Sequence, residues 1–163
     1  MTEVSIVIPT FNSIHTLIPC LKSLERSDFK KENFEVIIID DGSTDDTEKQ
    51  IDEFKRHSLL NIEYHKRVRS NRYGPGIARG YGFDTAQGKI IATTDADCII
   101  DGDWVSKIYK AIIEDGNDVI TGKVYSKDLL IFPWRSAPAG HRVTANMAGK
   151  KECIKSIPDI WRI

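Results

Sequence analysis

The sequence has no long apolar run, no closely spaced cysteines and no excess of charge of one sign. No stretch approaches the roughly 20 apolar residues that a membrane-spanning helix needs, so we expect no transmembrane segment. The amino-terminal residues lack the basic and apolar regions of a signal peptide. Because 23 basic residues nearly balance 24 acidic ones, for a net charge of -1, we expect no nucleic-acid partner held by bulk electrostatics.

Cysteine is scarce, and the residues of this type are far apart. Cys20, Cys98 and Cys153 form neither a C-x-x-C pair nor a Cys/His spacing typical of zinc. Reduced thiols in a cytoplasmic protein are therefore the preferred interpretation, and a peripheral position at a membrane surface stays open. With 163 residues, 40% of them hydrophobic, the chain is long enough for one domain with a buried core.

Short apolar runs alternate with helical patterns along most of the chain. The runs predict strands at residues 4–8, 34–39, 59–65, 89–94 and 118–125. Apolar residues at helical spacing predict helices at 14–24, 74–88 and 104–112, and a more polar helix begins at Ser43 or Thr44. This order predicts an α/β fold with a doubly wound, mainly parallel sheet flanked by helices.

Polar segments follow three of the predicted strands, at the ends where open α/β sheets bind ligands. They are Pro9-Thr10-Phe11-Asn12, Asp40-Asp41-Gly42-Ser43 and Thr94-Asp95-Ala96-Asp97. One acidic strand end is common in such folds. Three polar strand ends that converge indicate a binding site.

Asp95 and Asp97 are two residues apart after an apolar strand. In an extended segment alternate side chains lie on the same side, so both carboxylates would face one cavity. Two hard oxygen ligands suit Mg²⁺ or Mn²⁺, which would also take phosphate oxygens from a substrate. The alternative is an acidic turn in solvent.

Asp40 and Asp41 are adjacent, so their side chains should point in opposite directions. One can accept a hydrogen bond from a uracil or guanine N–H, while the other bonds within the loop or caps the next helix. Phe11 can stack on a base or ribose, or anchor the loop in the core.

A local basic cluster comprises Lys66, Arg67, Arg69 and Arg72. Arg79, together with Arg69 or Arg72, can meet phosphate through a planar guanidinium group. A solvated surface position is the preferred interpretation for each arginine taken alone.

The segments "VSIVIPTFN", "FEVIIIDDGSTDDT" and "GPGIARGYGFDTAQGKIIATTDADC" together resemble glycosyltransferase family 2 on a GT-A fold. Further along, "ANMAGKKECI" resembles the acceptor-side segment of that family. Gly80 is a departure, because it stands where the family commonly has Asn. The resemblance implies metal-assisted, inverting transfer of a sugar from a UDP or GDP sugar to the hydroxyl of an unknown acceptor.

The resemblance also implies which residues form the donor site. These are Pro9, Thr10, Phe11, Asp41, Gly76, Arg79, Asp95, Ala96 and Asp97. It makes Asp41 the base-recognition residue and Asp97 the principal metal ligand, with Asp95 near the ribose or the metal.

The family's catalytic base resembles an E-D or D-D pair beyond the acceptor-side segment, and no such pair occurs before Ile163. Asp159 is the only acidic residue after Glu152, and its context does not match. We assign no catalytic base and expect a single GT-A-type domain over 1–163, truncated on its acceptor side.

A catalytically incomplete nucleotide-sugar-binding module is the alternative, and homo-oligomer formation stays open. A sugar nucleotidyltransferase is disfavoured because no glycine-rich basic loop follows the first strand. A dehydrogenase is disfavoured because G-x-G-x-x-G is absent there.

Overall fold

The computed structural model describes residues 1–68, 71, 73–124 and 146–156. Its elements in chain order are β1 (Val4–Thr10), α1 (Ile14–Glu25), a 3-10 turn (Lys31–Asn33), β2 (Phe34–Asp40), α2 (Thr47–His57), β3 (Asn61–Lys66), α3 (Pro75–Thr85), β4 (Ile90–Thr94), α4 (Trp104–Tyr109) with a π-helical continuation (Lys110–Glu114), β5 (Val119–Thr121), β6 (Asn146–Lys150) and α5 (Lys151–Ser156).

The strands form one sheet in the order β3-β2-β1-β4-β6-β5. β3, β2, β1 and β4 are parallel neighbours, whereas β6 is antiparallel to both β4 and β5. The predicted α/β fold with a mainly parallel sheet is confirmed. Because the chain moves from β1 towards β3 on one side and places β4 on the other, the strand order reverses at β1. Ligands of doubly wound folds bind at this kind of switch point.

Helices cover both faces of the sheet, which explains why β1 and β2 are buried along their whole length. On one face, Ile6 and Ile8 pack with residues of α1, α2 and α4 such as Leu17 and Ile51. On the other face, Val7 packs with residues of α3 and α5. Both sides of a strand therefore need mainly apolar side chains, and a nearly continuous apolar run results. Among the described residues, no helix has the length and apolar character that crossing a membrane requires.

The carboxyl-terminal part of the sheet differs from the prediction. β5 covers Val119–Thr121, so residues 118 and 122–124 of the predicted strand lie outside it, and Tyr125 lies outside the described residues. β5 pairs with β6, a strand that the sequence did not predict. Asn, Gly and Lys are poor strand formers, so the segment Asn146–Lys150 has little local signal. Pairing with a strand on each side stabilises β6, and Gly149 permits it because a Cβ there would lie 2.8 Å from the carbonyl oxygen of Asp118.

The predicted start of the second helix at Ser43 or Thr44 is wrong, because α2 begins at Thr47. The backbone N–H of Ser43 donates to Asp40 at 2.7 Å, and that of Thr44 donates to the side chain of Asn12 at 2.8 Å. These contacts between loops hold the two residues outside the helix. Asp45 then accepts hydrogen bonds from the side chain and the backbone of Thr47.

A buried carboxylate joins the strands at the edge of the sheet opposite the polar strand ends. Glu35 is 1% exposed and accepts hydrogen bonds from the Ser5 hydroxyl at 2.5 Å and the Gln87 N–H at 2.8 Å. The N–H of Gly88 donates to the same hydroxyl at 2.8 Å. A Cβ at Gly88 would lie 2.7 Å from the backbone nitrogen of Ser5 and 2.8 Å from the carbonyl carbon of Val4. The connection from α3 to β4 therefore needs glycine at this position.

We expect Gly88→Ala to lower the free energy of unfolding by about 1–3 kcal/mol, because backbone atoms of a buried strand cannot yield to the added methyl group. Chemical denaturation measures the change. Gln87→Ala is the matched control: its side chain is exposed, so its effect should stay within about 0.5 kcal/mol. Equal stability of the two variants would contradict the close approach of Gly88 to the backbone of Val4 and Ser5.

Candidate functional site

A cavity of about 610 Å³ opens where β1, β2 and β4 end. This volume lies within the range of about 300–1,000 Å³ that is typical of small-molecule sites. Of the nine residues predicted for the donor site, the cavity is lined by Pro9, Thr10, Phe11, Asp41, Arg79, Asp95, Ala96 and Asp97. Gly76, in the first turn of α3, is not among the lining residues that the structure describes.

The prediction missed other residues of the cavity wall. Ser13 and Thr16 contribute from the start of α1, and Tyr73, Gly74, Pro75 and Ala78 contribute from the approach to α3 and its first turn. Pro75 occupies the first position of that helix, where the missing N–H costs no helical hydrogen bond. The helical pattern around 75–85 located α3 but could not indicate which of its sides faces the strand ends.

Asn12 joins the loop after β1 to the loop after β2. Its backbone has a positive φ of 46°, a conformation that Asn tolerates better than most residues. Its N–H donates to the Ser43 hydroxyl at 2.8 Å, and its side-chain oxygen accepts from the Thr44 N–H at 2.8 Å. The two loops, which carry Phe11 and Asp41, are therefore held as one unit.

Asp40 is the loop-directed member of the aspartate pair. It is fully buried and accepts hydrogen bonds from the N–H of Ser43 at 2.7 Å, from the Ser43 hydroxyl at 2.6 Å and from the Tyr64 hydroxyl. Burial, and then the bond to this carboxylate, raises the pKa of Tyr64 above its ordinary value. Asp40 thus fixes the end of β2, while Asp41 faces the cavity. The adjacent side chains point apart, as the sequence predicted.

Asp41 is 4% exposed, and both of its carboxylate oxygens have partners. The Arg67 guanidinium donates to one oxygen at 2.5 Å, and the N–H of Gly74 donates to the other at 2.6 Å. The same guanidinium lies over the ring of Tyr81, 4.2 Å from its centroid. From the sequence, Arg67 was predicted only as one member of a basic cluster, and nothing indicated a role for Tyr81. Their contact could not be predicted, because it joins residues from separate elements.

Arg79 is buried, so its interpretation as a solvated surface side chain is wrong. The side chain is 5% exposed and forms an ion pair with Asp95, whose side chain is 36% exposed. The Arg79 Nε atom is buried without a hydrogen-bond partner among the described residues. The guanidinium is therefore directed at the first aspartate of the Asp95-Ala96-Asp97 segment.

This segment forms a turn, so the expected extended geometry is wrong. The strand ends at Thr94, and the N–H of Cys98 donates to the carbonyl oxygen of Asp95 at 3.2 Å. Both aspartates nevertheless line the cavity, and Asp97 is exposed. Within the described ranges, no three His, Cys, Asp or Glu side chains cluster as metal ligands. A cation at this turn would need further ligands from substrate or water.

Cys20 lies directly below the turn. The thiol is fully buried on α1 and makes a long contact of 3.8 Å with the carbonyl oxygen of Asp95. Burial, followed by the nearby Cys98, Asp97 and Asp95, raises the pKa of Cys20 to about 12. A protonated, enclosed thiol is chemically inert at neutral pH, so Cys20 has a packing role beneath the site.

Several side chains considered in the sequence lie outside the described residues. They are Arg69, Arg72 and Asp159. The nine residues predicted for the donor site all lie within the described ranges.

Comparisons with known proteins agree with this architecture. Residues 5–160 match the sequence profile of Glycosyl transferase family 2. The poly(ribitol-phosphate) beta-N-acetylglucosaminyltransferase TarS of Staphylococcus aureus is 30% identical over 124 residues, which make up 76% of this chain and 21% of that protein. The chain thus spans about a fifth of the length of this relative.

Solved structures show the same fold. A crystal structure of Staphylococcus aureus TarS in complex with UDP-GlcNAc matches with a TM-score of 0.73 and 23% identity, covering 92% of this chain and 46% of that one. The mannosyltransferase PcManGT of Pyrobaculum calidifontis, in complex with GDP-Man and Mn²⁺, matches with a TM-score of 0.69 and 21% identity, covering 77% of this chain and 36% of that one. From the profile match over nearly its whole length, the chain belongs to glycosyl transferase family 2.

Proposed function

We propose that the cavity binds a nucleotide-diphosphate sugar and that the chain supplies the donor-binding part of an inverting glycosyltransferase. One observation carries the proposal: an aromatic ring, a fixed carboxylate and an exposed carboxylate from three different strand ends line one cavity. They are Phe11, Asp41 and Asp97. The complexes of TarS with UDP-GlcNAc and of PcManGT with GDP-Man support a donor of this class.

The nucleoside would occupy the part of the cavity between Phe11 and Asp41. Phe11 is 40% exposed although it lines the cavity, so its ring face can stack on a base or ribose. An ionised carboxylate offers about four lone-pair sites. The bonds from Arg67 and Gly74 therefore leave Asp41 able to accept one more hydrogen bond, from the ring N–H of uracil or guanine.

The diphosphate would lie towards the turn that carries Asp97, together with Mg²⁺ or Mn²⁺. The donors there are carboxylate oxygens, which suit both cations. Asp97 is exposed, and the ion pairs of the described residues do not include it. Asp97 would be the main protein ligand, and the second oxygen of Asp95 would assist. When bound, such a cation neutralises the charge that develops on the diphosphate leaving group.

In the proposed reaction, the acceptor oxygen forms a bond to the anomeric carbon while the bond from that carbon to the diphosphate breaks. The hydroxyl proton passes to a carboxylate base, and we assign no such base among the described residues. For the described part, the proposal is therefore limited to donor binding. A module that binds the donor without transferring the sugar is the second candidate, and a turnover assay distinguishes it from the transferase.

Calorimetry with UDP and with GDP, each with and without Mn²⁺, tests donor binding. We expect at least one nucleotide to bind more tightly with Mn²⁺, and EDTA to remove that gain. Asp97→Ala should weaken Mn²⁺-dependent binding about tenfold or more, because even the outer-shell partners of metal ligands contribute about 10–100-fold. Asp101→Ala, which removes the same charge from an exposed position four residues further on, is the matched control.

A donor hydrolysis or sugar transfer assay separates the two candidates. Turnover that disappears in Asp97→Ala but not in Asp101→Ala supports the transferase. Nucleotide binding without turnover supports the binding module. Failure of the wild-type chain to bind either nucleotide, with or without the cation, would remove the basis of both.

The contact between the two loops gives a separate prediction. Asn12→Gly keeps the positive φ but removes the acceptor for the Thr44 N–H, so we expect a loss of about 1 kcal/mol in stability and weaker nucleotide binding. Asn12→Asp keeps an acceptor oxygen and should stay closer to the wild type in both. Denaturation and the same calorimetric titration measure the two effects. Unchanged affinity in Asn12→Gly would show that the loops do not need this connection.

A further inference from the structure

Arg67 is enclosed between an acidic and an aromatic partner, behind the wall of the proposed donor cavity. Its side chain is 12% exposed, and the guanidinium joins Asp41 at 2.5 Å. Tyr81 covers the same group from α3, with 4.2 Å between the guanidinium carbon and the ring centroid. The chain of contacts therefore runs from Tyr81 through Arg67 to Asp41, and only Asp41 lines the cavity.

The geometry of these contacts fixes the Asp41 carboxylate. Arg67 holds one oxygen and the N–H of Gly74 holds the other, so rotation of the carboxylate would break both bonds. Tyr81 is 54% exposed, which means that its ring does not fill the hydrophobic core. Among the described residues, the Arg67 guanidinium lies over this ring, and a cation over an aromatic face is an attractive arrangement.

We propose that Tyr81 is a positioning residue for recognition of the nucleobase. Its ring holds Arg67 against Asp41, and this keeps the carboxylate oriented to accept a hydrogen bond from a base. The inference rests on the proposed binding of a nucleotide at Asp41. Beyond that function, it assigns a role to Tyr81, a residue that does not line the cavity, and makes the choice of nucleobase depend on it.

The specificity follows from the hydrogen-bonding groups of the bases. An ionised carboxylate only accepts hydrogen bonds. Uracil and guanine present a ring N–H, whereas the corresponding ring nitrogens of cytosine and adenine are acceptors. A fixed Asp41 should therefore favour UDP or GDP over CDP and ADP by about 10- to 100-fold, as expected for a hydrogen bond to a charged group. A carboxylate that is free to turn away should discriminate less.

Calorimetric titration of the chain with UDP, GDP, CDP and ADP in Mn²⁺ tests this role. Tyr81→Leu should weaken binding of the preferred nucleotide about 2- to 30-fold, the range expected for loss of a cation–π contact, and leave the binding of the others unchanged. Tyr81→Phe keeps the ring and should restore the preference. Tyr81→Gln provides the same comparison if Tyr81→Leu does not fold, which thermal unfolding establishes.

A double-mutant comparison distinguishes positioning from a general structural effect. In Arg67→Gln the guanidinium is gone, so adding Tyr81→Leu should cause no further loss of preference. Undiminished preference in Tyr81→Leu, or equal losses in both backgrounds, would overturn the role of Tyr81 while leaving the proposed donor site intact. Equal binding of all four nucleotides by the wild type would overturn it as well. If the wild type binds none of them, the proposed function fails and this inference fails with it.

Discussion

The parallel pairing of β1 with a strand on each side is the constraint on which the site depends. Val4 pairs with Phe34 of β2 on one side and with Ile90 of β4 on the other. Three parallel strands therefore end at one edge of the sheet, and the segments that follow them share one cavity. The same arrangement gathers acidic side chains at this edge: Asp40, Asp41, Asp95 and Asp97. Neighbouring charges of one sign repel each other, so the fold has to offset them.

The structure offsets three of these charges in two ways. Asp40 is fully buried and accepts hydrogen bonds from hydroxyl and N–H groups. Asp41 and Asp95 each pair with an arginine that is almost completely shielded from water. A buried charge is costly without its partner, so Arg67 offsets the buried Asp41 carboxylate, and Asp95 offsets the buried Arg79 guanidinium. Asp41 and Asp95 are thus held in place in the cavity wall, and Asp40 is held in place behind it.

Local patterns allowed the sheet and the strand ends to be predicted, because β1 and β2 are mostly apolar runs, interrupted by Ser5 and Glu35, that stop at polar residues. The features that the sequence could not predict depend on contacts between segments that are distant along the chain. β6 depends on pairing with two other strands, and the start of α2 depends on the side chain of Asn12. The enclosure of Arg67 likewise joins groups from separate parts of the chain. Such contacts cannot be predicted from the spacing of apolar residues or from residue type.

Asp97 differs from the other three carboxylates. It is exposed, and its described neighbour is the Cys98 thiol at 3.9 Å, which is a weak donor. Among the described residues, no ion pair includes Asp97. A diphosphate brought to this wall would meet its negative charge, and a divalent cation between them would convert repulsion into attraction. Residue type alone made Asp95 and Asp97 equal candidates for that cation. Because Arg79 already holds Asp95, we place the metal dependence of the proposed donor site mainly on Asp97.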